Sequence, residues 1–287
     1  MGVWQGKYCR FFLFFPFVLI AIWAICLPYD AKADVQMLRE LQQYCPHTKI
    51  ETAHVSAVSR EAEIVLDNGR RLRFADIFFP RGAKNNHVAP KTLQFLQNRL
   101  TGQSITYLQS AQADRYRRIP AYIVIDNEEN LWLQPEILRA EIGFFMPEPL
   151  NRTASPDFCD SYFLKRTLQR HDHSARGLSR RDRPHLVPIY APDSKILWQM
   201  EGNFVIIEGI VVKTYTSGKR IFWNFGDDWK IDFTAFLSTD NQTSFEKHFK
   251  PLSPIEGKQL RLRGFLELKN GPSMRIDHPL QVELLSE

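Results

Sequence analysis

Apolar positions along the chain fall into three patterns. The first is an unbroken run over residues 11–27, interrupted only by Pro16 and preceded by Lys7 and Arg10. Ala31-Lys32-Ala33 follows it, with small residues two apart, as signal peptidase requires. The run is at the short limit for a spanning helix, so residues 1–33 are expected to be a cleaved leader, with a retained anchor as the alternative. Bulky Trp23 and Ile25 before Cys26 do not fit a lipoprotein signal.

The second pattern mixes strand and helix periods over residues 34–179. Residues 62–66 and 70–74 flank Asp67-Asn68-Gly69, a hairpin signature because Asn and Gly tolerate positive φ. Leu93, Leu96 and Leu100 recur at helical spacing and predict a helix over 90–100. Residues 104–109 and 121–126 read as strands, 127–130 as a turn, and 161–171 as a further helix. The stretch 131–143 reads as a helix with Pro135 in its first turn and Gly143 as its C-terminal cap. This segment is therefore expected to be an α+β domain.

The third pattern, over residues 203–287, is nearly all strand: 205–215, 220–225, 229–236, 259–268 and 281–285. Turns are marked at Ser217-Gly218, Gly226-Asp227-Asp228 and Asn270-Gly271-Pro272, and 244–249 is helix-capable. Five strands and one helix fit a small Greek-key barrel of the OB type. Between the two segments the chain is rich in Arg and Pro and lacks periodicity. Residues 180–202 are expected to be a linker, solvated or offering a basic patch to phosphates.

Composition narrows the function classes. With 287 residues and 44% hydrophobic content, the chain can bury one large or two small cores. The net charge of +5 is too small for a histone-like coat on nucleic acid. The leader carries Lys7, Arg10 and Lys32 against Asp30, so its removal lowers the net charge to +3. Cys9 and Cys26 leave with it. Cys45 and Cys159 remain, either paired in an oxidising compartment or as two separately buried thiols. No CxxC pair, glycine-rich phosphate loop, Gly-x-Ser-x-Gly elbow or Cys/His couple is present, and no pair of histidines has convincing metal spacing.

Four motifs, in order, resemble the thermonuclease-like (staphylococcal-nuclease-type) family over residues 57–179. Arg73-Phe74-Ala75-Asp76-Ile77-Phe78-Phe79-Pro80-Arg81 is similar to that family's Arg-Leu-x-Gly-Ile-Asp-x-Pro-Glu. Asp114-Arg115-Tyr116-Arg117-Arg118-Ile119-Pro120-Ala121-Tyr122-Ile123 resembles its Asp-x-Tyr-Gly-Arg-x-x-Ala-Tyr-Ile. Residues 131–143 loosely resemble its next helix, and Ala175-Arg176-Gly177-Leu178 a shortened closing motif. The resemblance implies an OB-type barrel with helices, followed here by a second OB-like barrel of the kind that extends bacterial members of the family. In all, a mainly β protein with α is expected, built as two barrels.

The family's chemistry uses acidic Ca²⁺ ligands, a glutamate that handles the attacking water, and two arginines that stabilise the phosphoryl charge. Arg73 and Arg118 match the two arginines. Phe78 stands at a calcium-binding aspartate, Arg81 at the catalytic glutamate and Ala62 at another ligand position. Phenylalanine cannot ligate Ca²⁺ and arginine repels it. The expectation is a catalytically degenerate module that needs no cofactor and binds single-stranded nucleic acid or an envelope protein. A purely structural envelope protein is one alternative. Another is a Ca²⁺-dependent phosphodiesterase whose acids come from Glu63 or Asp76, the latter two residues before Phe78 and on its strand face if the pleat is regular.

The resemblance places Arg73, Asp114, Tyr116 and Arg118 at a nucleotide. In the second domain, Lys219, Arg220, Trp223 and Trp229 mix aromatic and basic character suited to single strands. Export to the periplasm or beyond is expected, with no membrane span left once the leader is gone.

Overall fold

The computed structural model describes residues 49–81, 86–127, 131–149, 162–171, 189–191, 194–248 and 255–285. The leader, Cys45, Cys159 and residues 180–188 and 192–193 of the expected linker lie outside them. The protein is mainly β. Among the described residues no helix is long and apolar enough to cross a membrane.

The first unit runs β1 (Ile50–Val58), β2 (Ile64–Leu66), β3 (Arg71–Phe74), β4 (Ile77–Phe78), α1 (Pro90–Leu100), β5 (Ser104–Gln109), β6 (Arg118–Ile125), β7 (Leu131–Trp132), α2 (Leu133–Arg139), β8 (Phe144–Phe145) and α3 (Tyr162–His171). Strand β1 is antiparallel to β2 and β5, β2 to β3, and β5 to β6. Parallel pairing of β3 with β6 closes this ring of five strands.

The second unit runs β9 (Ile189–Tyr190), α4 (Ser194–Leu197), β10 (Phe204–Ile210), β11 (Lys213–Ser217), β12 (Arg220–Asn224), β13 (Thr234–Ser238), α5 (Gln242–His248), β14 (Gln259–Leu268), β15 (Pro272–Ile276) and β16 (Val282–Leu284). Its sheet is curled, in the order β11-β12-β13-β15-β14-β10-β9. Only Val211 and Val212 separate β10 from β11, so these act as two halves of one bent strand. The pairing plan then repeats the first barrel: strand three lies parallel to strand five, and a helix joins strand three to strand four. Part of the expected linker belongs to this unit, since β9 pairs in parallel with β10.

The cores explain the sequence pattern. Strand β6 is apolar at nearly every position because both its faces are covered. Ile119, Ala121, Ile123 and Ile125 fill the barrel, while Tyr122 and Val124 pack outward with Trp132, Leu138 and Leu168. The expected helix over 131–143 is shorter than its pattern. It ends at Arg139, capped at Ala140, and Gly143 is not the cap. A Cβ on Gly143 would lie 2.8 Å from Ile137 Cγ2 and 2.9 Å from Ile77 Cγ2, so close packing demands glycine there. The expected strand over 229–236 also begins later, at Thr234. Residues 226–232 form a turn instead. Asp228 accepts from Lys230 N–H (3.0 Å) and Asp232 from Asp228 N–H (2.9 Å).

Aromatic rings join the barrels. Phe78 stacks on Phe204 at 5.1 Å and meets Phe265 edge-on at 5.0 Å. Helix α3 wedges beside this seam: Leu168 packs with Leu280, and Gln169 Nε2 donates to Leu280 O (3.2 Å).

Candidate functional site

Strands β2, β3 and β6 bring the expected residues of the first barrel together at one end. Asp114 lies in the turn before β6 and accepts from Tyr116 N–H (2.9 Å), Arg118 N–H (3.1 Å) and Arg118 Nε–H (2.8 Å). Arg73 Nε stands 3.7 Å from the same carboxylate, and Arg73 also donates to Glu148. Arg118 Nη1 donates to Glu63 (3.1 Å), whose other oxygen accepts from Arg71 (3.2 Å). Each arginine is thus neutralised by carboxylates. Burial pushes the Asp114 carboxyl up, but the hydrogen bonds from Arg118 and from the two backbone N–H groups outweigh it and hold the group below its ordinary range. Burial lowers the Arg118 guanidinium, and Asp114 and Glu63 more than offset it, so its pKa is raised. Tyr116 is exposed, with Arg115 and Arg118 guanidinium carbons 4.8 and 5.0 Å from its ring centre.

These residues do not fit a calcium site. Phe78 is taken up by the seam with the second barrel. Asp76 is not on the strand face with Phe78. Its φ of 57° breaks the pleat between β3 and β4 and turns the carboxylate inward. There it accepts from Tyr122 Oη, Glu148 N–H (2.7 Å) and Lys165 Nζ (3.2 Å), fully buried. Glu63 is held by two arginines. Among the described residues no group of three or more His, Cys, Asp or Glu side chains could hold a metal ion.

Arg81 differs from its neighbours. It donates to Glu61 O (3.2 Å) and Asn86 Oδ1 (3.4 Å), and among the described residues no carboxylate lies within 4.0 Å of it. Partial desolvation, and after it the nearby Arg118, lower the Arg81 guanidinium, against Glu63 and Glu61. All of these groups line a cleft of about 980 Å³ between the barrels, whose opposite wall is Phe78, Phe204 and Phe265.

The second barrel carries a different arrangement on its outer face. The tight turn after Ser217 pairs Ser217 with Arg220 and therefore Tyr215 with Phe222. Phe222 in turn pairs with Phe236, and Phe236 with Arg275. One row across four strands thus reads Tyr215, Phe222, Phe236, Arg275. Tyr215 is 59% exposed and Phe222 half-buried, while Phe236 is buried, its ring covered by the Arg220 guanidinium at 5.4 Å. Lys213, Lys219 and Arg220 are exposed around the row. Trp223, expected on this face, is a correction. It has the opposite parity, is 1% exposed, and packs edge-on against Phe245 in the core. Trp229 sits in the 226–232 turn, half-exposed, under Lys230.

No protein-family model matches the chain, and no curated protein matches it. Solved structures give short, weak likenesses. Asparaginyl-tRNA synthetase from Pyrococcus horikoshii is similar at 17% identity and TM-score 0.25, over 34% of this chain and 23% of that protein. An OBody, AM1L10, in a complex with hen egg-white lysozyme, is similar at 14% identity and TM-score 0.23, over 31% of this chain and 85% of that one. The chain spans about a quarter of the synthetase's length, 23%. Neither likeness bears on function. None of the comparisons singles out a thermonuclease. The OB-type reading rests on the strand pairing above.

Sequence reasoning named Arg73, Asp114 and Arg118, which the structure brings together, and Lys219 and Arg220, which lie exposed beside the aromatic row. It missed Tyr215, Phe222, Phe236 and Glu148. The first two were readable from hairpin symmetry about Gly218-Lys219, since 217 opposite 220 sets 215 opposite 222. Glu148 follows two short strands and carries no signal of its own.

Proposed function

We propose that this is an exported, non-hydrolytic binding protein whose outer second-barrel face takes single-stranded nucleic acid. The observation that carries the reading is the pair Tyr215 and Phe222, the accessible rings of a cross-strand row that runs on through buried Phe236 to Arg275, ringed by exposed cations. Stacking on aromatic rings serves any base, and cations beside the rings attract phosphate. Hydrolysis is disfavoured because Arg73 and Arg118 are already paired with Asp114, Glu63 and Glu148, and because Phe78 and Arg81 stand where the nuclease pattern needs acids. Localisation outside the cytoplasm rests on the leader pattern alone.

The test is fluorescence anisotropy of a labelled oligothymidylate with the chain from Asp34 onward, across a salt series. Affinity is expected to fall with salt, at a slope of roughly 0.7 per phosphate contact. Tyr215→Ala and Phe222→Ala should each cost about 1–3 kcal/mol of binding. Trp229→Ala should change little. Unchanged affinity in both aromatic variants would remove this face from the reading. Metal-dependent cleavage of the oligonucleotide that vanishes in Arg73→Ala, Arg118→Ala would replace it with a phosphodiesterase.

A further inference from the structure

We infer that the cleft between the barrels is a separate site for a small amphipathic monoanion, an apolar body bearing one carboxylate or sulfonate-like group, with Arg81 as its anchor. The volume, about 980 Å³, is at the upper end of ligand pockets. One wall is aromatic. Phe265 packs edge-on against Phe78 and Phe204 yet remains 41% exposed, so part of its ring is free to meet an apolar body. The facing wall is charged, but its ion pairs are mutual: Arg73 and Arg118 are closed by Asp114, Glu63 and Glu148.

Arg81 breaks that symmetry. Two of its donors reach a backbone carbonyl and an amide oxygen, neither of them charged. A guanidinium has five N–H donors, so it retains capacity for an anion. An anion there would also relieve the repulsion between Arg81 and Arg118.

The charge count selects the class further. The cleft lining holds the carboxylates of Glu61, Glu63, Asp114, Glu148 and Glu201 against the guanidiniums of Arg73, Arg81 and Arg118. A phosphodiester chain would meet net repulsion. A single negative charge meets less of it, since it contacts Arg81 directly against Glu63 and Glu61 alone while its body turns toward Phe265. This site is therefore distinct from the outer face of β11–β13 and does not depend on it.

The test uses the purified chain from Asp34 onward and two fluorescent probes of like shape: anilinonaphthalene sulfonate, which is anionic, and N-phenylnaphthylamine, which is neutral. The sulfonate is expected to bind at one saturable site and to be displaced by octanoate. Arg81→Gln should weaken the sulfonate about tenfold or more, the loss of one charge-assisted contact, and leave the neutral probe unchanged. Arg81→Lys, which keeps the charge, should retain most of the affinity and guards against a folding defect in Arg81→Gln. Phe265→Ala should weaken both probes. Oligothymidylate affinity should stay the same in all three variants. Absence of saturable sulfonate binding, equal affinity in wild type and Arg81→Gln, or an equal loss of both probes in Arg81→Gln would overturn the assignment.

Discussion

Two carboxylates, each preceded by an alanine, have opposite fates at the residue scale. Asp76 is buried with Lys165, Tyr122 and the Glu148 N–H, while Asp114 lies nearer the surface among arginines. Removing one member of a buried ion pair strands the other charge, at a cost of about 3–5 kcal/mol. Lys165→Met and Asp76→Asn are each expected to destabilise the protein by about that amount in urea unfolding, and the double variant by much less than the sum. Strict additivity would mean that the pair does not interact. Asp114 predicts an acid limb. Its folded pKa is depressed below the ordinary 3.8, so its contribution is full above that value and is lost as pH falls through the depressed one. Thermal stability should therefore drop on acidification below about pH 4, with a shallower drop in Asp114→Asn. The same slope in both proteins would assign the acid limb to other carboxylates. The inward turn of Asp76 was not legible in the sequence, because it depends on a positive φ between β3 and β4 where a regular pleat was expected, whereas Asp114 beside Arg118 was legible from the motif that holds both.

At the element scale, local signals were read well and long-range ones poorly. The hairpin at Asp67-Asn68-Gly69, helix α1 and the β11–β12 hairpin about Gly218 follow from turn chemistry and periodicity that neighbouring residues supply. The span 131–143 went astray because its apolar residues serve three elements: a strand, a short helix and β8's approach to β4. Trp223 went astray because composition alone cannot assign a strand residue to a face, whereas parity with Arg220 can. The crowding at Gly143 gives a sharp test of this packing. Gly143→Ala must displace both Ile137 and Ile77 and should cost about 1–3 kcal/mol. Trp223→Ala should cost about 3–5 kcal/mol, while Tyr215→Ala, at the exposed end of the row, should leave stability nearly unchanged. A neutral Gly143→Ala would mean that β8 and α2 are not packed as closely as described.

For the whole molecule, the decisive feature is the seam of Phe78, Phe204 and Phe265, with Phe144 stacked on Phe204 at 5.6 Å. It changes the meaning of a substitution that looks like a loss when read in one dimension. The thermonuclease-like pattern that the sequence resembles has an aspartate where Phe78 stands, yet the phenylalanine there is what the second barrel rests on. Restoring the acid separates the two interpretations. If the first barrel were a nuclease lacking only its ligands, Phe78→Asp together with Arg81→Glu would create metal-dependent cleavage. If Phe78 exists to join the barrels, Phe78→Asp buries a charge among aromatic rings and loosens the joint instead. The second outcome is expected. Wild-type protein should show one calorimetric transition, because the seam, Leu280 and helix α3 couple the two cores. Phe78→Asp should split it into two, with no cleavage of single-stranded DNA in Ca²⁺. Phe204→Ser, on the opposite side of the seam, should split it in the same way. A single unshifted transition in both variants would mean that the barrels stand independently and that the seam does not hold them together.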